Sequence, residues 1–134
     1  MTERHELPRS GRRALRFDGE LMASASTWAN EGPGNSRWWA IHVYSAGSPK
    51  QVVLALDWRT NWEKETGWNC ADIMETVADA ADALEAHDPL CKLAGYPPGQ
   101  HFAARQRALE ESVSASWGQA VVEIMAELGV AEEV

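Results

Sequence analysis

Residues 69–87 read NCADIMETVADAADALEAH, and the way this stretch is read decides the fold. Ile73, Met74, Val77, Ala81 and Leu84 recur at helical spacing and make one apolar face. Asn69 stands at an N-cap position with Asp72 three residues on, where an acid favours the positive end of the helix dipole. The spacing predicts one helix from Asn69 to about His87, ended by Asp88-Pro89. On that reading every strand of the protein precedes residue 69.

Upstream, QVVLALDW (51–58) and RWWAIHVYS (37–45) are rich in β-branched and aromatic residues and read as strands. The short AGSPK turn between them predicts an antiparallel hairpin. From Ala14, Leu15, Phe17, Gly19, Leu21, Ala23 and Ala25 alternate with mostly polar residues, a further strand. NEGPGNS (30–36) is a loop by composition. Downstream, Gly95 through Gly99 cannot lie inside a regular helix. A last helix is predicted over 100–128, with Phe102, Leu109, Val113, Trp117, Val121, Ile124 and Leu128 at helical spacing. Gly118 costs it about 1 kcal/mol relative to Ala, which leaves open a break near Ser116–Gly118. The order, strands and then helices, implies an α+β fold: a three-stranded antiparallel sheet followed by two or three helices packed on one face. Residues 14–129 form one α+β domain on this reading. Residues 1–13 are a flexible basic arm and 130–134 an acidic tail.

A chain of 134 residues with 45% hydrophobic and 24% charged residues suits one packed domain. No apolar run approaches the ~20 residues that span a bilayer, and the N-terminus has no apolar stretch of a secretory signal. A cytoplasmic protein without a membrane partner is expected. Two cysteines, Cys70 and Cys91, are too few for a disulfide framework. The net charge is −8, and it is uneven: Arg4, Arg9, Arg12, Arg13 and Arg16 make the first sixteen residues basic, so the remainder is strongly acidic. Such a body repels nucleic acid and anionic membranes and favours basic partners. The arm's arginines could touch phosphates, but without interleaved aromatics they make no nucleic-acid motif.

The acids Asp72, Glu75, Asp79 and Asp82 follow one another at steps of three or four. On a helix they would fall within about 80° of one another. Glu85 and Asp88 drift away from the stripe. Like charges at this spacing repel by a few tenths of a kcal/mol per pair. The stripe reads as an electronegative ridge that docks on a basic surface; the plainer alternative is a solvated helix face. Seven tryptophans stand against two tyrosines and two phenylalanines. Strand parity puts Trp39 and Trp58 with the apolar faces, and Trp117 keeps register with Val113 and Val121. These three read as core. Trp38 has the opposite parity, with Ala40, His42 and Tyr44. Together with Trp62 and Trp68 it could form a partner-binding aromatic surface. Trp62 and Trp68 could equally seal the joint between sheet and helix.

Cys70, His87, Cys91 and His101 offer metal donors but show no C-x2-C or H-x3-H pairing, so no metal and no cofactor is expected. There is no G-x-S-x-G, P-loop or G-x-G-x-x-G. An enzyme would be a small hydrolase or nucleotide-modifying enzyme built around His42, Asp57 and Arg59.

FDGELMASAST (17–27), RWWAIHVYSAGSPKQVVLAL (37–56), WRTNWEKE (58–65) and HDPLCKLAGYPPGQHFAARQRALEESV (87–113) together resemble small uncharacterised α+β proteins carried on bacterial mobile elements and phages. Arg59-Thr60, Trp62 and Glu65 fit the central motif of that group. Ser45-Ala46 departs from its usual Thr-Ala-Gly turn, as do the additional tryptophans. The resemblance implies a setting and no activity. With the acidic charge, it leads to the expectation of a non-enzymatic protein-binding module, in its sharpest form an anti-CRISPR-like inhibitor of host defence. Asp72, Glu75, Asp79 and Asp82 would steer it to a basic protein surface, and Trp38, Trp62 and Trp68 would anchor it. The alternative is an accessory protein of element maintenance acting as a homodimer through the exposed face of the sheet.

Overall fold

The computed structural model describes residues 3–27, 37–47, 51–60, 67–92 and 102–130. Five strands form one antiparallel sheet in chain order: β1 (Glu3–Arg9), β2 (Arg12–Ser26), β3 (Arg37–Ala46), β4 (Gln51–Thr60) and β5 (Trp68–Met74). Helices α1 (Val77–Ala86) and α2 (Phe102–Leu128) follow. The sheet curls into a half-barrel. This corrects the expected three-stranded sheet at both of its edges. The segment read as a flexible arm is β1, paired with β2 from Glu3 opposite Gly19 to Arg9 opposite Arg12. The first part of the segment read as one helix is β5, paired with β4 from Trp68 opposite Trp58 to Met74 opposite Val52.

The physical reason for β5 lies in β4. Val52, Val53, Leu54, Ala55 and Leu56 are all buried, so β4 is covered on both faces. Such a strand sits inside a sheet, where neighbours on both sides satisfy its backbone. β3 supplies one neighbour and β5 the other. The helix then begins at a second capping signal: the Thr76 hydroxyl accepts from the Asp79 amide at 3.1 Å, with Thr76 extended at φ −137° and ψ 162°.

The curl has a local cause in β2. A Cβ placed on Gly19 would lie 1.8 Å from the Ser45 carbonyl oxygen, so only glycine allows β2 and β3 to approach this closely. The β2–β3 register then shifts between Leu21 and Ala23, an irregularity that bends a strand. Gly11, at φ +74°, turns the β1–β2 hairpin, and its tip folds onto the outer edge of β5. Ser10 donates its amide to the Asn69 carbonyl at 2.8 Å, and the Asn69 amide donates to the Ser10 hydroxyl at 2.9 Å. Arg12 adds an ion pair with Asp72 at 2.9 Å. The free edge of β5 is thereby partly capped.

The two faces of the sheet carry two cores. On one face Trp39, Ile41, Val43, Leu54, Leu56 and Trp58 pack against Ala80 and Leu84 of α1 and Trp117, Ala120, Val121 and Ile124 of α2. α2 runs unbroken through Gly118, which decides between one helix and a broken one. On the concave face Phe17, Tyr44, Val53, Ala55 and Ala71 form a smaller cluster, flanked by Leu7 and Leu15. Met74 and Val77, expected on one helix face, are split between β5 and α1 yet both pack against the larger core. Ile73, expected with them, is exposed.

Candidate functional site

Strand register builds two candidate sites. The first is the acidic edge at β5 and α1. The ridge expected from helical spacing does not form as one helix stripe. Asp72 is on β5, Glu75 follows that strand, and only Asp79 and Asp82 lie on α1. Asp72 is also committed elsewhere: it pairs with Arg12 and accepts from the Cys70 thiol at 3.1 Å. Burial opposes ionisation of Asp72. The hydrogen bonds from Cys70 and Arg12 and the charges of Arg12 and Arg9 outweigh burial and hold its carboxyl below the usual range. Glu75, Asp79 and Asp82 are exposed, and among the described residues none of them makes an ion pair.

Of the aromatic candidates, Trp68 is half-buried. It extends the cross-strand row Trp39–Trp58–Trp68. Its ring meets that of Trp39 edge-on at 6.1 Å, and the Lys92 ammonium lies 4.6 Å from its centroid. Trp39, fully buried, is the hub: Trp58, Trp117 and His87 pack on it at 5.1, 5.5 and 4.7 Å. Its indole N–H donates to the Pro89 carbonyl at 2.9 Å. Trp68 therefore helps to seal the joint between sheet and helices. Trp38 lies opposite Arg59 on the concave face. Trp62 lies outside the described residues.

The second site is a cavity of about 270 Å³ inside the curl. His42, Tyr44, Asp57 and Arg59 line it from β3 and β4, Asn69 and Cys70 from β5, and Leu7 and Pro8 from β1. Sequence reasoning had put His42, Asp57 and Arg59 together, and parity explains why: alternate residues of adjacent strands share a face. Tyr44 has the same parity as His42, a signal already present in the sequence. Asn69, Cys70, Leu7 and Pro8 were out of reach, because β5 and β1 were not read as strands.

Burial raises the Asp57 carboxyl above its ordinary range, with Arg59 and His42 pulling against it. Burial likewise holds the His42 ring in its neutral form, opposed by Asp57 and reinforced by Arg59. The Tyr44 hydroxyl is pushed up by burial and then by Asp57. Cys70 is driven up to about 11, first by burial and then by its hydrogen bond to Asp72. It is held as a thiol, not as a nucleophilic thiolate.

Of the possible metal donors, Cys70 is engaged by Asp72, His87 packs between Trp39 and Trp117, and His101 is outside the described residues. Among the described residues no three His, Cys, Asp or Glu side chains gather as a metal site would require, and no helix is long and apolar enough to cross a membrane. Comparison of the chain with protein-family models, curated proteins and solved structures gives no match.

Proposed function

We propose that the protein is a non-enzymatic binding module that acts in the cytoplasm by docking on a basic protein surface. The observation that carries this reading is the β5–α1 edge, where the exposed Glu75, Asp79 and Asp82 make no ion pair among the described residues. A net charge of −8 extends the same field over the molecule, and fields of this kind accelerate encounter with an oppositely charged partner. Asp72 belongs to the fold in this scheme, not to the docking edge. Trp38 and Trp62 remain the proposed aromatic anchors. Cys70, the thiol lining the concave cavity, is held protonated, which argues against a cysteine nucleophile there. The resemblance to proteins of mobile elements and phages supports an anti-defence role for such docking.

The test is the triple variant Glu75→Lys/Asp79→Lys/Asp82→Lys, with Asp72 left intact so that the β5 edge is not disturbed. The wild-type protein should retain a defined basic protein from host extract at low salt and release it at high salt, identified by mass spectrometry. The variant, folded by circular dichroism, should not retain it. Equal retention by both would sink the docking edge.

A homodimer is the second reading. Leu21 and Ile73 are about half exposed, at 51% and 52%. They flank Tyr44 and Val53 in one cross-strand row on the concave face. A monomeric mass at high protein concentration would eliminate it.

A further inference from the structure

The concave cavity has a chemical character of its own, independent of the acidic edge. Three of its polar side chains lack a hydrogen-bond partner among the described protein groups. The Asp57 carboxylate is 18% exposed, and its closest charged neighbour is Arg59 at 3.9 Å, beyond hydrogen-bonding distance. His42 and Tyr44 make ring contacts: they lie near-parallel, with centroids 6.2 Å apart, and Phe17 and His5 pack on Tyr44. None of these polar atoms is both sealed from solvent and unpartnered; among the described side chains that holds of His87 Nε2 alone. They open onto one shared space.

The arrangement selects a ligand. Asp57 offers two acceptor oxygens, and Arg59 offers N–H donors beside them. The complement is an edge with N–H donors next to a carbonyl acceptor. Arg59 and Asp57 offset each other, so the cavity lining is close to neutral, and the body of the protein is acidic. With Arg59 given to the carbonyl, the lining holds no second arginine or lysine for a phosphate. The rings of His42 and Tyr44 and the apolar Leu7 and Pro8 offer flat, apolar surface. A volume of about 270 Å³ lies just under the usual range for drug-sized ligands of ~300–1,000 Å³, which limits the buried group to about one heterocycle.

We propose that this cavity binds the lactam edge of an uncharged nucleobase, with guanine as the best complement: Asp57 accepts from its two ring-edge N–H groups, Arg59 donates to its carbonyl, and Tyr44 and His42 pack on the ring. The ligand is a free base or nucleoside, not a nucleotide or a polynucleotide.

The experiment uses the full chain and guanosine as the probe, followed by calorimetry and by NMR shifts of the His42 and Tyr44 ring protons. Guanosine should bind and move both rings. 1-Methylguanosine, which blocks one donor to Asp57, should bind more weakly by about tenfold or more, as should guanosine on the Asp57→Asn variant. Guanosine monophosphate should bind no tighter than guanosine. The proposal is overturned if the rings do not respond to millimolar guanosine, if the methylated nucleoside or the Asp57→Asn variant binds equally well, or if the monophosphate binds more tightly. The lysine triple variant on β5–α1 should bind guanosine like the wild type. Loss of docking and loss of nucleoside binding are therefore read separately.

Discussion

The two faces of the sheet come from the same strands and are built by opposite rules. On the helix-covered face, Trp39, Ile41, Val43, Leu54, Leu56 and Trp58 close an apolar core; the Trp39 indole N–H has a partner in the Pro89 carbonyl, and His87 Nε2 beside it is the one buried side-chain nitrogen or oxygen without a partner among the described residues. One residue out of phase, the concave face gives part of its area to Phe17, Tyr44 and Val53 and the rest to His42, Asp57 and Arg59. The first arrangement maximises burial of apolar area. The second sets two ionisable groups, His42 and Asp57, on one cavity although burial disfavours the charged form of each; the first holds one such group in His87. Stability alone does not select that pairing. Groups that cost stability and gather on one cavity mark the face where binding is to be sought.

If the contrast holds, substitutions on the two faces should differ in sign as well as in size. The largest effect is expected where the faces are shaped. Gly19→Ala places a methyl group against the Ser45 carbonyl, and the strands must separate to admit it. The loss should exceed about 4 kcal/mol, the range reserved for disrupted backbone packing, and circular dichroism should show no cooperative unfolding. A wild-type melting curve would mean that the curl does not depend on this contact. Next comes Trp39→Ala, which empties the centre of the aromatic row. Urea denaturation should show a loss of roughly 3–5 kcal/mol. A loss below ~1 kcal/mol would mean that the helix-covered face is not the structural one.

How much of this was legible in the sequence follows the same division. The β3–β4 hairpin and the buried faces of Trp39, Trp58 and Trp117 were readable from period and parity, as was α2. β5 was not, because residues 69–74 satisfy two patterns at once. Ile73 and Met74 continue the helical series toward Val77 and Leu84, while Trp68, Cys70 and Met74 alternate toward the larger core. Two capping signals compete as well, Asn69 with Asp72 and Thr76 with Asp79, and the helix uses the second. The deciding information was non-local: a strand buried on both faces, as the run VVLAL implies, requires a second neighbour. β1 was obscured by its charge. Glu3, Arg4 and Glu6 are exposed at a sheet edge while His5 stacks on Phe17, and Pro8 is tolerated because an outer strand has amides that need no ladder partner. With both outer strands unread, the His42–Asp57–Arg59 constellation was visible but the cavity was not.

Asp57 tests the other half of the contrast. Its carboxyl is raised in the folded state, so the folded protein binds the proton more tightly than the unfolded chain. The associated stability is fully present below the unfolded value of 3.8 and is lost as pH rises through the higher folded value. At pH 7 the charged group is a cost. Asp57→Asn should therefore raise stability at pH 7, by ~0.5–2 kcal/mol as for other relieved functional sites, and the gain should vanish below about pH 4. A destabilised variant at pH 7 would show that Asp57 belongs to the fold in the way Trp39 does. The His42 ring works in the other direction. Its folded value is lowered, so its contribution is present above 6.5 and is lost as pH falls through the folded value. His42→Gln should flatten the stability profile on the acid side of 6.5.

The smallest effect belongs to the seam that closes the concave face. Arg12 and Asp72 are 56% and 43% exposed, and exposed pairs contribute ~0–1 kcal/mol. Arg12→Ala should therefore barely move the urea midpoint, and less still at 1 M salt, where the screening length is about 3 Å. Its local consequence should be larger, because the same hairpin tip carries the Ser10–Asn69 hydrogen bonds that hold β1 against β5. Hydrogen exchange at the Ser10 and Asn69 amides should accelerate in Arg12→Ala while amides of β3 and β4 stay protected. Acid should act on the same seam. The Asp72 carboxyl is held below its ordinary 3.8, so the pair's contribution is present above that value and is lost as pH falls through the lower folded value. A seam that opens without unfolding the core would make the concave face the mobile half of the molecule and the helix-covered face its rigid support. If Arg12→Ala instead cost more than ~2 kcal/mol globally, the two faces would be one cooperative unit, and the division drawn from their chemistry would not extend to their dynamics.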